Sequence, residues 1–157
     1  MANKKPIVLG ADGSLQQLQA GDIIDVGAAK QVFTATNSNA GAITLGQMTY
    51  VNGNGSVDLA RANADVTSRA IGLIYDASIA SAASGTVVTD GVIVSTDWTA
   101  VTGSATLTAG SIYYLSDTLA GGLVTVVPVA AGSSIVRVGT ALSGTELEIS
   151  IGEPIKL

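Results

Sequence analysis

The sequence predicts an all-β protein, a compact barrel or sandwich of short antiparallel hairpins with an internal duplication and at most one or two short helices. Three observations carry that expectation. Val, Ile and Thr dominate the 157 residues, and their branched Cβ atoms suit a pleated sheet better than a helix. Glycine occurs 19 times, repeatedly where one β-rich run gives way to the next. Finally, no long segment repeats its apolar residues with the helical period.

The elements follow in chain order. Residues 1–20 read as an N-terminal extended arm: Lys5 precedes Pro6, which disfavours helix there, and Asp12-Gly13 marks a turn. Residues 21–157 read as the β-rich domain. Ala60–Ser68 is the best helix candidate and Ala77–Ser84 is a small-residue run that reads as a short helix or a loop, neither with a wide apolar stripe. Val87–Val94 reads as a hairpin reversing at Asp90-Gly91, where glycine accepts positive φ. Ile135–Leu142 and Thr145–Ile151 flank Ser143-Gly144 as a second hairpin. In its latter strand Glu146, Glu148 and Ser150 alternate with Leu147, Ile149 and Ile151, one wet face and one dry. Gly152–Leu157 is a short tail.

Two units near 42–74 and 105–142 look alike. Gly46 and Gly110, and Tyr50 and Tyr114, fall at matching offsets, each followed by a turn (Asn52-Gly53-Asn54-Gly55; Ala120-Gly121-Gly122) and a returning strand. Arg69 with Gly72, and Arg137 with Gly139, close the units. Ala20–Val26 is a third, shorter instance of the pattern. The expectation is a β-hairpin unit used at least twice, each copy closing on the other.

Composition narrows function. The chain has neither cysteine nor histidine, so disulfides, thiolate nucleophiles, zinc–thiolate sites and imidazole bases are excluded. No cofactor and no metal ligand set is expected. Asp12, Asp22, Asp25, Asp58, Asp65, Asp76, Asp90, Asp97, Asp117, Glu146, Glu148 and Glu153 are the only plausible catalytic groups. With one Trp and four Tyr there is little to build the cleft a glycosidase needs around two of them. Asp22-Ile23-Ile24-Asp25 is too sparse for a calcium loop. Asn52–Gly55 has no lysine and precedes no helix, so it is not a phosphate cradle. No catalytic residue is expected, and the protein reads as not an enzyme.

Charged residues make up 12 % and the net charge is −5. Seven scattered Lys and Arg form no basic stripe, so nucleic acid is not an expected partner. The longest apolar runs, Pro6–Ala11 and Val126–Ala131, are six residues each, too short for a signal-peptide core or a membrane span. An ion-poor surface desolvates cheaply under another subunit, so the chain is expected to associate with itself. Trp98, the single indole, reads as a core or interface anchor. Arg69 and Arg137 read as interface positions able to pair with a neighbour's carboxylates.

Leu9–Asp22 resembles segments of phage tail-fibre and related appendage proteins. Leu107–Ser116 with Gly121–Thr125 and Val136–Ser143 is similar to the C-terminal part of small phage virion proteins, described as tail-fibre or capsid decoration (cement) proteins. The resemblance covers about half the chain. It implies a bacteriophage homotrimer without catalytic residues, made in the host cytoplasm and carried on the virion with other virion proteins as partners. The alternative is a tail module that binds a bacterial surface glycan.

Overall fold

The computed structural model describes residues 30–157 and, upstream, the backbone of two short strands; the other calls made on residues 1–29, including the Ala20–Val26 unit, lie outside the described residues. The upstream strands, β1 (Ile7–Leu9) and β2 (Leu15–Gln17), pair antiparallel; the turn expected at Asp12-Gly13 lies outside the described residues.

The described domain is all-β. Its strands are β3 (Gln31–Asn37), β4 (Ile43–Thr44), β5 (Met48–Gly53), β6 (Ser56–Leu59), β7 (Ala70–Ile74), β8 (Ser78–Ile79) and β9 (Ser84–Val94). A single helical turn α1 (Thr99–Thr102) follows, then β10 (Ile112–Leu115), β11 (Leu123–Val124), β12 (Ser134–Ile135), β13 (Arg137–Ala141), β14 (Glu146–Ile149) and β15 (Ile155–Lys156). Nine strands form one sheet in the order β11-β10-β13-β14-β9-β3-β6-β5-β7, and β7 also pairs with β9, closing one end into a small barrel.

Two cores result. Ala35, Ile43, Val57, Ile74, Ile79 and Val87 fill the closed barrel. The larger core gathers Met48, Tyr50, Leu73 and Val88 with Ile93, Trp98, Tyr113, Leu115, Val138 and Leu147. Successive residues of β7, Leu73 and Ile74, are both fully buried but in different cores, because alternate side chains leave a strand on opposite faces. The strands β5, β7 and β9 therefore form a wall covered on both sides.

The resemblance between the two units extends to backbone geometry. Gly46 N–H donates to the Ile74 carbonyl at 2.9 Å, as Gly110 N–H does to Ala141 at 2.8 Å. Ile74 N–H donates to Gln47 at 3.0 Å, as Ala141 N–H does to Ser111 at 3.0 Å. Both glycines have positive φ, 80° and 78°. The central strands β5 and β10 each carry a register shift at the matching step, Thr49/Tyr50 and Tyr113/Tyr114. Beside that step each faces a glycine of the returning strand, Thr49 opposite Gly72 and Tyr113 opposite Gly139. A Cβ on Gly72 would strike the Val88 carbonyl, and one on Gly139 the Glu148 carbonyl. The matching residues opposite Tyr50 and Tyr114 are Ala70 and Arg137, so Arg69 is one position out of step with Arg137.

Several expectations need correction. Asp90-Gly91 does not reverse the chain: β9 runs straight through it. Gln31 opposes Asp90 but Val32 opposes Val88, so Thr89 is an extra residue on β9, a bulge. The bulge shifts the alternation by one, which lets Val88 before it and Ile93 after it face the same core. Upstream β9 serves β3 and β7, downstream it serves β14; with partners waiting on both stretches, extension wins over reversal. Ala60–Ser68 is a series of turns and Ala77–Ser84 holds β8, so neither is a helix. The helical turn sits instead at Thr99–Thr102. One strand pair, β3 with β6, is parallel. Residues 155–156 form β15 on β12. The Ile135–Ile151 hairpin lies where expected, with Leu147 and Ile149 buried and Glu148 and Ser150 exposed.

Candidate interaction surface

The three residues singled out from the sequence do not converge. Trp98 is fully buried, wedged against Gly46, where a Cβ would lie 2.8 Å from the indole ring. It is a core residue and offers nothing to a partner's surface. Its Nε1–H is buried without a hydrogen-bond acceptor. Arg69 is exposed on the rim of a shallow cleft of about 440 Å³ with Asp65, Ser68, Ser134, Glu153, Pro154 and Lys156. In that cleft Lys156 pairs with Asp65, the one ion pair among the described residues; the lysine's hydrogen bond, then its charge, hold the Asp65 carboxyl below the usual carboxylate range. Arg137 stands on the exposed face of β13, and its Nη2 donates to Thr140 Oγ1 at 3.0 Å.

The other perturbed groups are structural. Asp97 is lowered by hydrogen bonds from Thr99, whose N–H reaches its carboxylate at 2.8 Å and steadies the start of α1. Tyr50 is raised by burial and then by the Asp58 charge. Among the described residues no three acidic side chains gather as a cation site, and no helix is long and apolar enough to cross a membrane.

What does stand out is apolar surface at two strand edges. The first is β3. Val32 is 54 % and Phe33 36 % exposed, although their cross-strand partners Val88 and Val87 are fully buried in the two separate cores. Both cores therefore run out at this end of β3. Its backbone is open as well. Thr36 N–H points to Gly55 while Asn37 N–H points to Ala83 on the opposite side. Alternation puts the N–H and C=O of Val32 and Thr34 on the side of Thr36, where β6 pairs only with Thr36 and Asn37. No described strand meets them. Lys30, the nearest charge in sequence, lies over the Tyr75 ring, 4.5 Å from its centroid.

The second edge is β11, paired only with β10. A cleft of about 330 Å³ lies between Thr102, Ser104, Thr106 and Thr108 on one side and Leu123, Val124, Thr125 and Val126 on the other, with Tyr113 at its base. Leu123 and Val124 of β11, and Thr125 and Val126 just after it, form that wall. Beyond it Pro128 is buried and holds the connector so that Val126 and Val129 project, 77 % and 86 % exposed.

A sequence signal for these edges existed. Gln31–Val57, Trp98–Ser116 and Thr118–Val136 contain no charged residue, and both edges fall within these runs. The chain matches no protein-family model and no curated protein.

Proposed function

We propose that this protein is a non-enzymatic structural component of a bacteriophage particle, a homotrimeric tail-fibre or capsid decoration protein displayed on the virion. The observation that carries the reading is the pair of uncharged edges with projecting Val32, Phe33, Val126 and Val129. Proteins that remain solitary protect such edges with charges, proline or a covering element; within β3 itself no residue is charged, and no described strand covers the side of Val32 and Thr34. The tail-fibre and decoration-protein resemblance of the sequence supplies the setting.

A glycan-binding role would call for an aromatic ring offered to solvent in the groove. Tyr113, the ring present there, is 3 % exposed and its hydroxyl accepts from Thr108 N–H at 2.9 Å, which favours assembly over sugar recognition.

Sedimentation equilibrium tests the association: a trimer is expected, burying well over ~1,200 Å² in total as stable interfaces do. Labelled electron microscopy of particles tests the location. A monomer at all concentrations, or particles without label, would overturn the reading.

A further inference from the structure

We infer that the open edge of β3 in one copy pairs with the open edge of β11 in the next, head to tail, so that a ring of copies closes through a shared sheet. This rests on the self-assembly reading above and names the surfaces that perform it.

The two edges are complementary in kind. At β3, the N–H and C=O groups of Val32 and Thr34 point outward with no described partner, and their side chains and Phe33 are exposed on both faces. At β11, the strand and the two residues after it line a cleft of about 330 Å³ whose other wall carries four hydroxyl side chains. An extended strand of a second copy would lie along this cleft. Its main-chain groups would take up the ladder, as when a peptide adds to a sheet edge. Val32 and Thr34 would lie on one face of the added strand and Gln31 and Phe33 on the other, so each face would bring one apolar and one polar side chain to a cleft lined by both kinds.

Charge favours the match. Gln31–Thr34 and all nine lining residues are uncharged, so no ion is stripped of water when the surfaces meet. A nucleic acid or an acidic partner finds a single cation, Lys30 just before β3, and none at the β11 cleft. The edges are different patches of one chain, so the contact is heterologous; such contacts build rings when the rotation closes. Two copies joined through β3 alone would satisfy one edge and leave the β11 cleft and Val126 in water.

Single-site charges and cysteines test the pairing on the full chain. Val32→Lys and Val126→Lys change exposed side chains, so each should keep its monomer melting temperature while weakening association at least tenfold in sedimentation. The chain has no native cysteine, so chains bearing Thr34→Cys mixed with chains bearing Thr125→Cys should be joined by a short thiol crosslinker, with neither variant self-linking. Self-linking of Thr34→Cys would overturn the inference in favour of β3 pairing with β3. Unchanged assembly in both lysine variants would overturn it and leave the proposed function standing. A drop in monomer melting temperature for Val32→Lys would overturn it by showing that the chain covers its own β3 edge. Absence of any assembly in the native protein would overturn both.

Discussion

The two units of this molecule share a backbone and differ in what covers it. In the first, the row Met48–Leu73–Val88 is buried in the larger core and Ile74–Val87 in the smaller. In the second, the equivalent of that first row is Ile112–Thr140–Glu148, in which Ile112 is 40 % exposed and Glu148 is exposed too. Its other row, Ala141–Leu147, is buried in the larger core. Equivalent strands thus turn opposite faces to the core they share. The sheet curls round that core as a continuous surface, with β14 and β9 joining the two units. Matching hydrogen bonds in settings of such different burial show that the unit's geometry is set by its turns and glycines, not by what lies on top of it.

Trp98 is where the comparison breaks most sharply. It belongs to the segment joining the units and packs on Gly46 of the first; nothing packs on Gly110 within 4 Å. Trp98→Ala should cost about 3–5 kcal/mol in urea unfolding, the range for emptying a large buried aromatic site. Trp98→Phe should cost much less, because the phenyl ring refills most of the void that alanine leaves, while both variants shed the indole N–H that has no acceptor. Equal losses for the two variants would show that the site gains nothing from the smaller ring and that its packing demands the whole indole.

Next in size are the paired glycines of the returning strands. Gly72→Ala and Gly139→Ala both push a methyl into a neighbouring strand's carbonyl, and overpacking against backbone that cannot turn aside costs about 3 kcal/mol. The losses should be alike, since the sites are equivalent. A tolerated change at either one would dissolve the equivalence.

Gly46→Ala and Gly110→Ala separate the units again. Both glycines hold left-handed backbone, so each variant should lose about 1 kcal/mol from strain alone. Gly46→Ala also drives its methyl into Trp98 and Val101, adding about 1–3 kcal/mol. The excess should vanish in a Trp98→Phe background if the indole is its source, and a double-mutant cycle measures that coupling.

These contrasts also explain what the sequence could and could not disclose. The Ile135–Ile151 hairpin was legible because one face is wet and the other dry, so Glu148 and Leu147 announce their sides. The repeat was legible because Gly46 and Gly110 mark turns that demand positive φ. Asp90-Gly91 misled because an Asp-Gly between β-branched residues suits a reversal and a bulge equally; only the partners β3 and β14 decide. The role of Trp98 was half-legible, as an anchor without a side. The open edges were the least legible: an exposed Val32 and a buried Val88 look alike in sequence, and which core runs out is settled by strands far away in the chain.

The smallest effect expected lies in the connectors. The first unit's connector carries Asp65, tied to Lys156 of β15, whereas the second unit's connector, residues 125–133, bears no charge and projects Val126 and Val129. Asp65 has its carboxyl lowered by the lysine's hydrogen bond and charge. A lowered folded-state pKa stabilises above the unfolded value and is lost as pH falls through the folded one. Any contribution should therefore be present at neutral pH and fade only below the normal carboxylate range, near 3.8. Both side chains are well exposed, 53 % and 66 %, so water and salt screen the pair. Asp65→Asn should leave the melting temperature at pH 7 unchanged within error, and the variant and the native chain should keep parallel stability profiles down to pH 4. A clear loss at pH 7 that high salt does not diminish would mean the first connector is fastened by this pair. The two units would then differ in how their loops are held as well as in how their faces are covered.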